Sequence, residues 1–286
     1  MLYSILKGGG IMIKLMALGL LFSETGCASL LGGGKLTWVR GGIERGPTDE
    51  KKISLVFTGG SFGEGGEHIL NVLKEHGIKG SFFFTGDFFR TPEFDPIIRR
   101  IVNEGHYLGT HSDKHPLYCP WDDVNKTLVT KEEFTEDVKS SFKYLEKYGV
   151  NPKVNKYWIP PYEWYNEDIS RWSNEMGLVL FNYSPGSYSN ADYTGEADSN
   201  FRSSDFIYGK ILEKEEKDPN GLNGFFLLIH IGAGPGRKDK FFVRLDALLK
   251  ELEKRGYNFI RVDEMIAPHS SKIREEASGF SGFGRS

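Results

Sequence analysis

From residue 53 onward the chain alternates without interruption between short apolar runs and amphipathic stretches, and that alternation limits its fold more than any other feature. Strands are predicted at 53–58, 81–85, 106–110, 156–159, 178–182, 225–230 and 257–262. Several are apolar throughout, such as Phe225-Phe226-Leu227-Leu228-Ile229, as suits parallel strands buried on both faces. Between them, residues 131–147 align Phe134, Val138, Phe142 and Leu145 on one helical face, and 240–254 align Phe241, Leu245, Leu248 and Leu252. Gly77, Gly105, Gly149, Gly177 and Gly256 stand where helices would end before the next strand. Seven β-α units in one unbroken run predict an α/β barrel rather than an open sheet.

The chain has 286 residues, enough for one large α/β domain, and 39% of them are hydrophobic. Its net charge of −3 and the absence of a basic run argue against nucleic acid as a partner. Residues 1–45 are expected to be a targeting segment and linker. Lys14 precedes the apolar run Leu15–Phe22, which is too short to span a bilayer and suits a signal-peptide core. Gly26-Cys27 resembles a lipoprotein cleavage site, although Glu24 stands where an aliphatic residue is usual. Export to the periplasm, cell surface or medium is expected, with membrane attachment through Cys27 if it is lipidated. Cys119 is the other cysteine, so no disulfide framework is expected. The domain is expected over 46–267, followed by a glycine- and serine-rich disordered tail at 268–286.

Polar or strained residues gather at the predicted C-terminal ends of the strands, the edge that carries chemistry in α/β folds. In "GHYLGTHSDKHP" (105–116), His111 and His115 are four apart directly after a strand, a spacing that lets two neutral imidazoles face one Zn²⁺, Co²⁺ or Ni²⁺. A pair of capping or surface histidines would read the same way. "FFLLIH" (225–230) ends a buried strand on His230, which is either a general acid or base or a histidine bonded within the core. "WIPPYEWYN" (158–166) sets a stiff corner with two prolines. Its Tyr162, Trp164 and Tyr165 would offer flat faces to sugar rings if exposed, although packing alone could account for them. "FTGGSFGEGG" lacks the Gly-Lys-Ser/Thr ending of a phosphate loop.

In this order and spacing, "FTGGS", "HSDKH", "PPYEW" and "LIH" resemble the NodB-type polysaccharide deacetylases, carbohydrate esterase family 4, over roughly residues 50–265. The resemblance implies a distorted (β/α)7 barrel, a divalent metal, most plausibly zinc, and an acetylated polysaccharide or oligosaccharide as substrate. His111 and His115 match the family's metal-binding histidines. His230 matches the histidine that protonates the leaving group, and Tyr162 matches the residue whose backbone amide binds the oxyanion, beside Pro161 and Trp164. Thr58 stands in place of the base aspartate, Gly59 in place of the third metal ligand, and Ile159 in place of an arginine. The base–arginine pair has been lost together, which leaves no orphaned charge.

Two readings follow. In the first, the protein is a metal-dependent hydrolase removing acetyl groups from N- or O-acetylated carbohydrate. Asp113, Glu163 or water would then complete the metal site, and Glu163, where the family usually has glycine, or Asp87 would replace the base. An aspartate restored at Gly59 is expected to tighten the metal. In the second, the protein is an inactive glycan-binding relative that uses the same groove. His111, His115 and His230 are expected to converge in either case, and their gathering on one rim favours the enzyme.

Overall fold

The computed structural model describes residues 34–269. The targeting segment with Cys27, and the tail from residue 270, lie outside the described residues. Among the described residues no helix is long and apolar enough to cross a membrane.

Strands β1 (Thr37–Val39) and β2 (Gly42–Arg45) form an antiparallel hairpin. Strands β3 (Lys52–Gly59), β4 (Ser81–Phe84), β5 (Tyr107–Thr110), β6 (Tyr157–Trp158), β7 (Val179–Leu180), β8 (Phe225–His230) and β9 (Asn258–Phe259) pair in parallel. Their spatial order is β7-β6-β5-β4-β3-β8, with β9 beside the start of β3. Helices α1 (Gly66–Glu75), α2 (Gly86–Arg90), α3 (Asp95–Asn103), α4 (Lys131–Lys147), α5 (Glu167–Glu175), α6 (Ser204–Lys217) and α7 (Leu245–Lys254) supply the crossovers, and α8 (Val262–Ile266) ends the domain. The result is a distorted (β/α)7 barrel, as the run of β-α units predicts.

Local chemistry sets the element ends. Thr130 and Glu133 form a reciprocal capping box that starts α4 at the predicted residue. Pro160 and Pro161 carry no amide hydrogen, so β6 stops after two residues instead of the expected four. The helix expected from 240 begins as a 3₁₀ turn, Phe241–Arg244, before α7.

Side chains alternate across each strand, which divides the core in two. Val56, Phe83, Tyr107, Tyr157, Val179, Phe181, Phe226 and Leu228 fill the barrel interior, with Val262, Met265 and Ile266 of α8 packed into the same cluster. Leu55, Phe57, Phe82, Phe84, Leu227 and Ile229 face the helices instead.

The expected domain boundary at residue 46 moves. Residues 34–45, expected to be linker, include a strand of the barrel wall. Ile43 is fully buried and bridges in parallel to Phe181, and its carbonyl accepts from the Asn182 amide at 2.8 Å. The Ser184 hydroxyl donates to the Glu44 carbonyl at 2.5 Å, and the Gly46 amide to the Gly224 carbonyl at 2.7 Å. Strand β2 therefore links β7 to β8 and closes the wall. Its four residues carry no extended pattern that would mark them as a strand. Ile43→Ala is expected to cost about 2–4 kcal/mol in chemical denaturation, the usual loss for a buried aliphatic truncation. A loss below about 1 kcal/mol would show that β2 is not part of the folding unit.

Candidate active site

Strand parity fixes what reaches the C-terminal rim. Continuing the interior-facing alternation upward brings Thr58 from β3, His111 after β5, Ile159 after β6 and His230 from β8 to one layer. Thr58 and His230 are direct neighbours in the β3–β8 ladder.

The histidine loop is braced from α4. Asp137 accepts from the Lys114 amide at 2.8 Å and from the Asp113 amide at 3.3 Å, and the His115 amide donates to the Ser112 hydroxyl at 2.9 Å. His111 Nδ1 donates to the Ile159 carbonyl at 3.0 Å, which leaves Nε2 as the atom with a free lone pair. That Nε2 lies 3.2 Å from Nε2 of His115 and 3.5 Å from Oε1 of Glu163. Burial, reinforced by the neighbouring imidazole, holds His111 well below its ordinary value. Burial, with His230 nearby, brings His115 down to about 4. Both rings are therefore neutral at pH 7, the state that binds metal.

His230 is poised the opposite way. Its Nδ1 meets Asp192 Oδ1 at 2.7 Å, and its backbone amide donates to Asp192 Oδ2 at 3.0 Å. Burial alone would depress its pKa, but Asp192 and then Glu163 outweigh that and raise it. Asp192 lies in the 3₁₀ turn Ser189–Tyr193, and nothing in the sequence pattern singled it out.

Glu163 is the unexpected member. Its backbone lies in the left-handed region at φ 53°, beside Tyr162 at φ 58°, a conformation natural for the glycine that the family resemblance places there. Its carboxyl is nearly buried, and Oε1 has no hydrogen-bond partner among the described residues. Burial drives its pKa up to about 7, with His230 opposing and Asp192 adding to the rise. Ser112 (φ 69°) and His115 (φ 53°) are left-handed as well, so four of the six such non-glycine residues described line this one site. Strain of this kind, of order 1–3 kcal/mol each, persists where function requires it.

Several expected members sit elsewhere. Asp113, offered as a third ligand, turns away and binds Arg90 Nη1 at 2.5 Å. Asp87, offered as a base, is exposed and pairs with Arg90 Nη2 at 2.7 Å. Pro161 is buried and shapes the turn rather than facing solvent, its carbonyl accepting from the Trp164 amide at 3.2 Å. Tyr165 is buried too, with its hydroxyl donating to the Val39 carbonyl at 2.8 Å. Tyr162 is exposed, its ring 4.3 Å from that of His115, and Trp164 is half-buried under Arg40. Trp121, which carried no motif, joins them, 5.7 Å from Tyr162 and 5.9 Å from Trp164.

Gly59 needs the largest revision. It pairs with Phe84 and falls on the helix-facing side of β3. A β-carbon there would lie 2.6 Å from Ile231 Cγ2 and 3.1 Å from the Phe84 and Phe88 rings. An aspartate restored at 59 would thus enter an apolar layer and not the imidazole pair.

Residues 45–181 match the polysaccharide deacetylase family profile. Over those residues the chain is similar to the polysaccharide deacetylases. It is 27% identical to a peptidoglycan-N-acetylglucosamine deacetylase of Bacillus cereus over 231 residues, 80% of this chain and 73% of that protein. The solved structure of a peptidoglycan N-acetylglucosamine deacetylase superposes with a TM-score of 0.60 at 25% identity, covering 78% of this chain and 91% of that one. A family 4 pseudoenzyme from Bacillus anthracis shares the fold, with a TM-score of 0.61 at 18% identity over 80% of this chain and 70% of that one. The chain thus shares the fold of these proteins, while Thr58, Gly59, Ile159 and Glu163 make its rim its own.

Two consequences can be measured. In an NMR titration His230 should keep its proton above its ordinary pKa, and Asp192→Asn should lower that value. The raised pKa contributes stability below pH 6.5 that is lost as pH climbs through the folded value. The stability gap between wild type and Asp192→Asn should therefore narrow as pH rises. Gly59→Asp should cost at least about 2 kcal/mol, from a buried charge and a clash, without tightening zinc in calorimetry. Tighter zinc with unchanged stability would mean that β3 ends differently from the structure described.

Proposed function

We propose that this protein is a divalent-metal-dependent hydrolase that removes acetyl groups from N-acetylated sugars of a peptidoglycan-type glycan, with Glu163 standing in for the carboxylates absent from β3. The observation that carries this reading is the nearly buried Glu163 carboxyl beside His111, its Oε1 without a hydrogen-bond partner among the described residues. A strained, desolvated acid destabilises the fold, so its retention needs a chemical reason. Similarity to peptidoglycan deacetylases supports the substrate class.

The residues fit a metal in part. Two nitrogens bound to one tetrahedral zinc ion lie about 3.3 Å apart, close to the 3.2 Å between the paired Nε2 atoms. Among the described residues, however, no group of three His, Cys, Asp or Glu is arranged as a metal site. His111 and His115 would hold the ion, with the Glu163 carboxyl adjoining them. Zinc, cobalt or nickel bound there would supply Lewis-acid activation of water and of the acetyl carbonyl. The Glu163 carboxylate, which a bound cation would favour in its ionised form, accepts the proton of the attacking water. The Tyr162 backbone amide takes the role of oxyanion donor that the family resemblance gives it. His230, its pKa raised by Asp192, delivers a proton to the departing amine, and the Asp192 carboxylate fixes its ring. Tyr162, Trp164 and Trp121 form the aromatic shelf on which sugar rings stack.

The apolar layer around Gly59 favours a second reading, a glycan-binding protein that uses the same shelf without turnover. The segment before Cys27 supports export in either case, with lipid at Cys27 as the anchor.

The test is release of amine from N-acetylglucosamine oligomers by the full chain, after chelation and after return of zinc, cobalt or nickel. Chelation should abolish activity and metal should restore it. Glu163→Gln and His230→Gln should each lower the rate by about 10²–10⁴-fold. Activity should fall at higher pH as His230 loses its proton, and Asp192→Asn should move that fall to lower pH. Glycan binding without amine release under any metal would overturn the hydrolase in favour of the second reading.

A further inference from the structure

Beside the histidines, a cavity of about 420 Å³ opens between the loop after β7 and the start of α6. Tyr183, Tyr188, Tyr193, Asn190, Asn200 and Arg202 are among the residues that line it. The Tyr193 ring lies 5.3 Å from that of His230, so the cavity adjoins the proton donor. Among the described residues, Arg202 is the one charged residue in its lining.

Arg202 has no carboxylate partner among the described residues. Its one side-chain hydrogen bond runs from Nη1 to the neighbouring Phe201 carbonyl at 2.7 Å, leaving most of its five N–H donors unused. Behind it lies a second guanidinium that forms no ion pair among the described residues. Arg237 is fully buried and donates to the carbonyls of Asp239 (2.6 Å), Thr194 (3.1 Å) and Arg202 (2.8 Å) and to the Ser204 hydroxyl (3.4 Å). The nearby carboxylates are committed elsewhere. Glu196 accepts from the Lys238 and Asp239 amides, Asp198 from the Gly195 amide, Asp239 from the Ser204 amide, and Asp192 holds His230. Arg237 is satisfied by these bonds and does not line the cavity, whereas Arg202 is half-buried in the cavity wall, its guanidinium 5.7 Å from the Phe206 ring centre, with donors left to meet an anion there.

The walls suggest the rest of that ligand. Tyr188 and Tyr193 are about half exposed, and Tyr188 is held left-handed at φ 58° at the start of the turn that carries Asp192. Flat hydroxylated rings with two amides beside them suit the face and hydroxyls of a sugar.

We propose that this cavity is a subsite for an acidic sugar, one whose carboxylate is received by Arg202 while its ring lies against Tyr188 and Tyr193. The proposal rests on the glycan reading above but not on turnover. The substrate would then be a glycan in which a carboxylate-bearing sugar is the acetylated ring or its neighbour.

Calorimetry with the full chain tests it by binding alone. The probes are a neutral N-acetylglucosamine oligomer, a matched oligomer bearing a lactyl-ether or uronate carboxylate, the methyl ester of that acid, and a sugar-free peptide of equal charge. The wild type should bind the acid about 10-fold more tightly than its ester, the usual worth of one charge-assisted contact. Arg202→Gln should bring that ratio to about 1 while leaving affinity for the neutral oligomer within about twofold. Equal affinity of the wild type for acid and ester, or an undiminished ratio in Arg202→Gln, would overturn the proposal. Equal binding of the sugar-free peptide would overturn its assignment to a sugar. An Arg202-dependent ratio in a protein that releases no amine would count against the hydrolase reading and leave this subsite standing.

Discussion

Everything at the rim follows from the two-residue period of strands buried on both faces. Once Phe57 of β3 is committed to the helix layer and Val56 to the barrel interior, Thr58 must face in and Gly59 must face out. The same parity on β8 brings His230 inward above Leu228, and on β5 it places His111 above Tyr107 and Gly109. The interior is already filled by Phe83, Phe181 and Phe226, so the polar residues meet only in the top layer. A one-residue slip of β3 would put Gly59 at the histidines and Phe57 in the interior, where there is no room for it.

Within that layer the charges are arranged as a sequence of opposites. His111 and His115 are buried neutral, burial pushes the Glu163 carboxyl up to about 7, and Asp192 raises the proton affinity of His230. Groups whose pKa values are pushed apart in this way form the usual signature of divided acid and base roles. Left-handed backbone at Ser112, His115, Tyr162 and Glu163 bends two loops so that their side chains meet. The energy for that strain comes from the continuous apolar core below and from Asp137, which braces the histidine loop through two amides.

Much of this was legible in the sequence. The strand–helix alternation, the glycine stops and the rim position of His111, His115 and His230 come from patterns that extend over many residues. Glu163 was visible because it breaks a pattern, a charged residue where a glycine belongs. The rest depends on contacts that no local pattern encodes. Strand β2 is four residues long and shows its role only against Phe181 and Gly224. Asp192 reaches His230 across 38 residues of chain, from an irregular turn. Asp87 and Asp113 looked available until Arg90 claimed both. Aligning Gly59 with a ligand position gave its place in the chain but not the side of the strand on which a side chain would fall.

The central claim is that a carboxylate from the β6 corner has replaced the one lost from β3. A crystal of the protein grown with zinc, with diffraction recorded on both sides of the zinc absorption edge, tests it most directly. The account predicts one anomalous peak within about 2.0–2.2 Å of Nε2 of both His111 and His115, with the Glu163 carboxyl beside the ion and turned toward it. Absence of a peak at the pair, or a zinc ion bound there with Glu163 turned away, would contradict it.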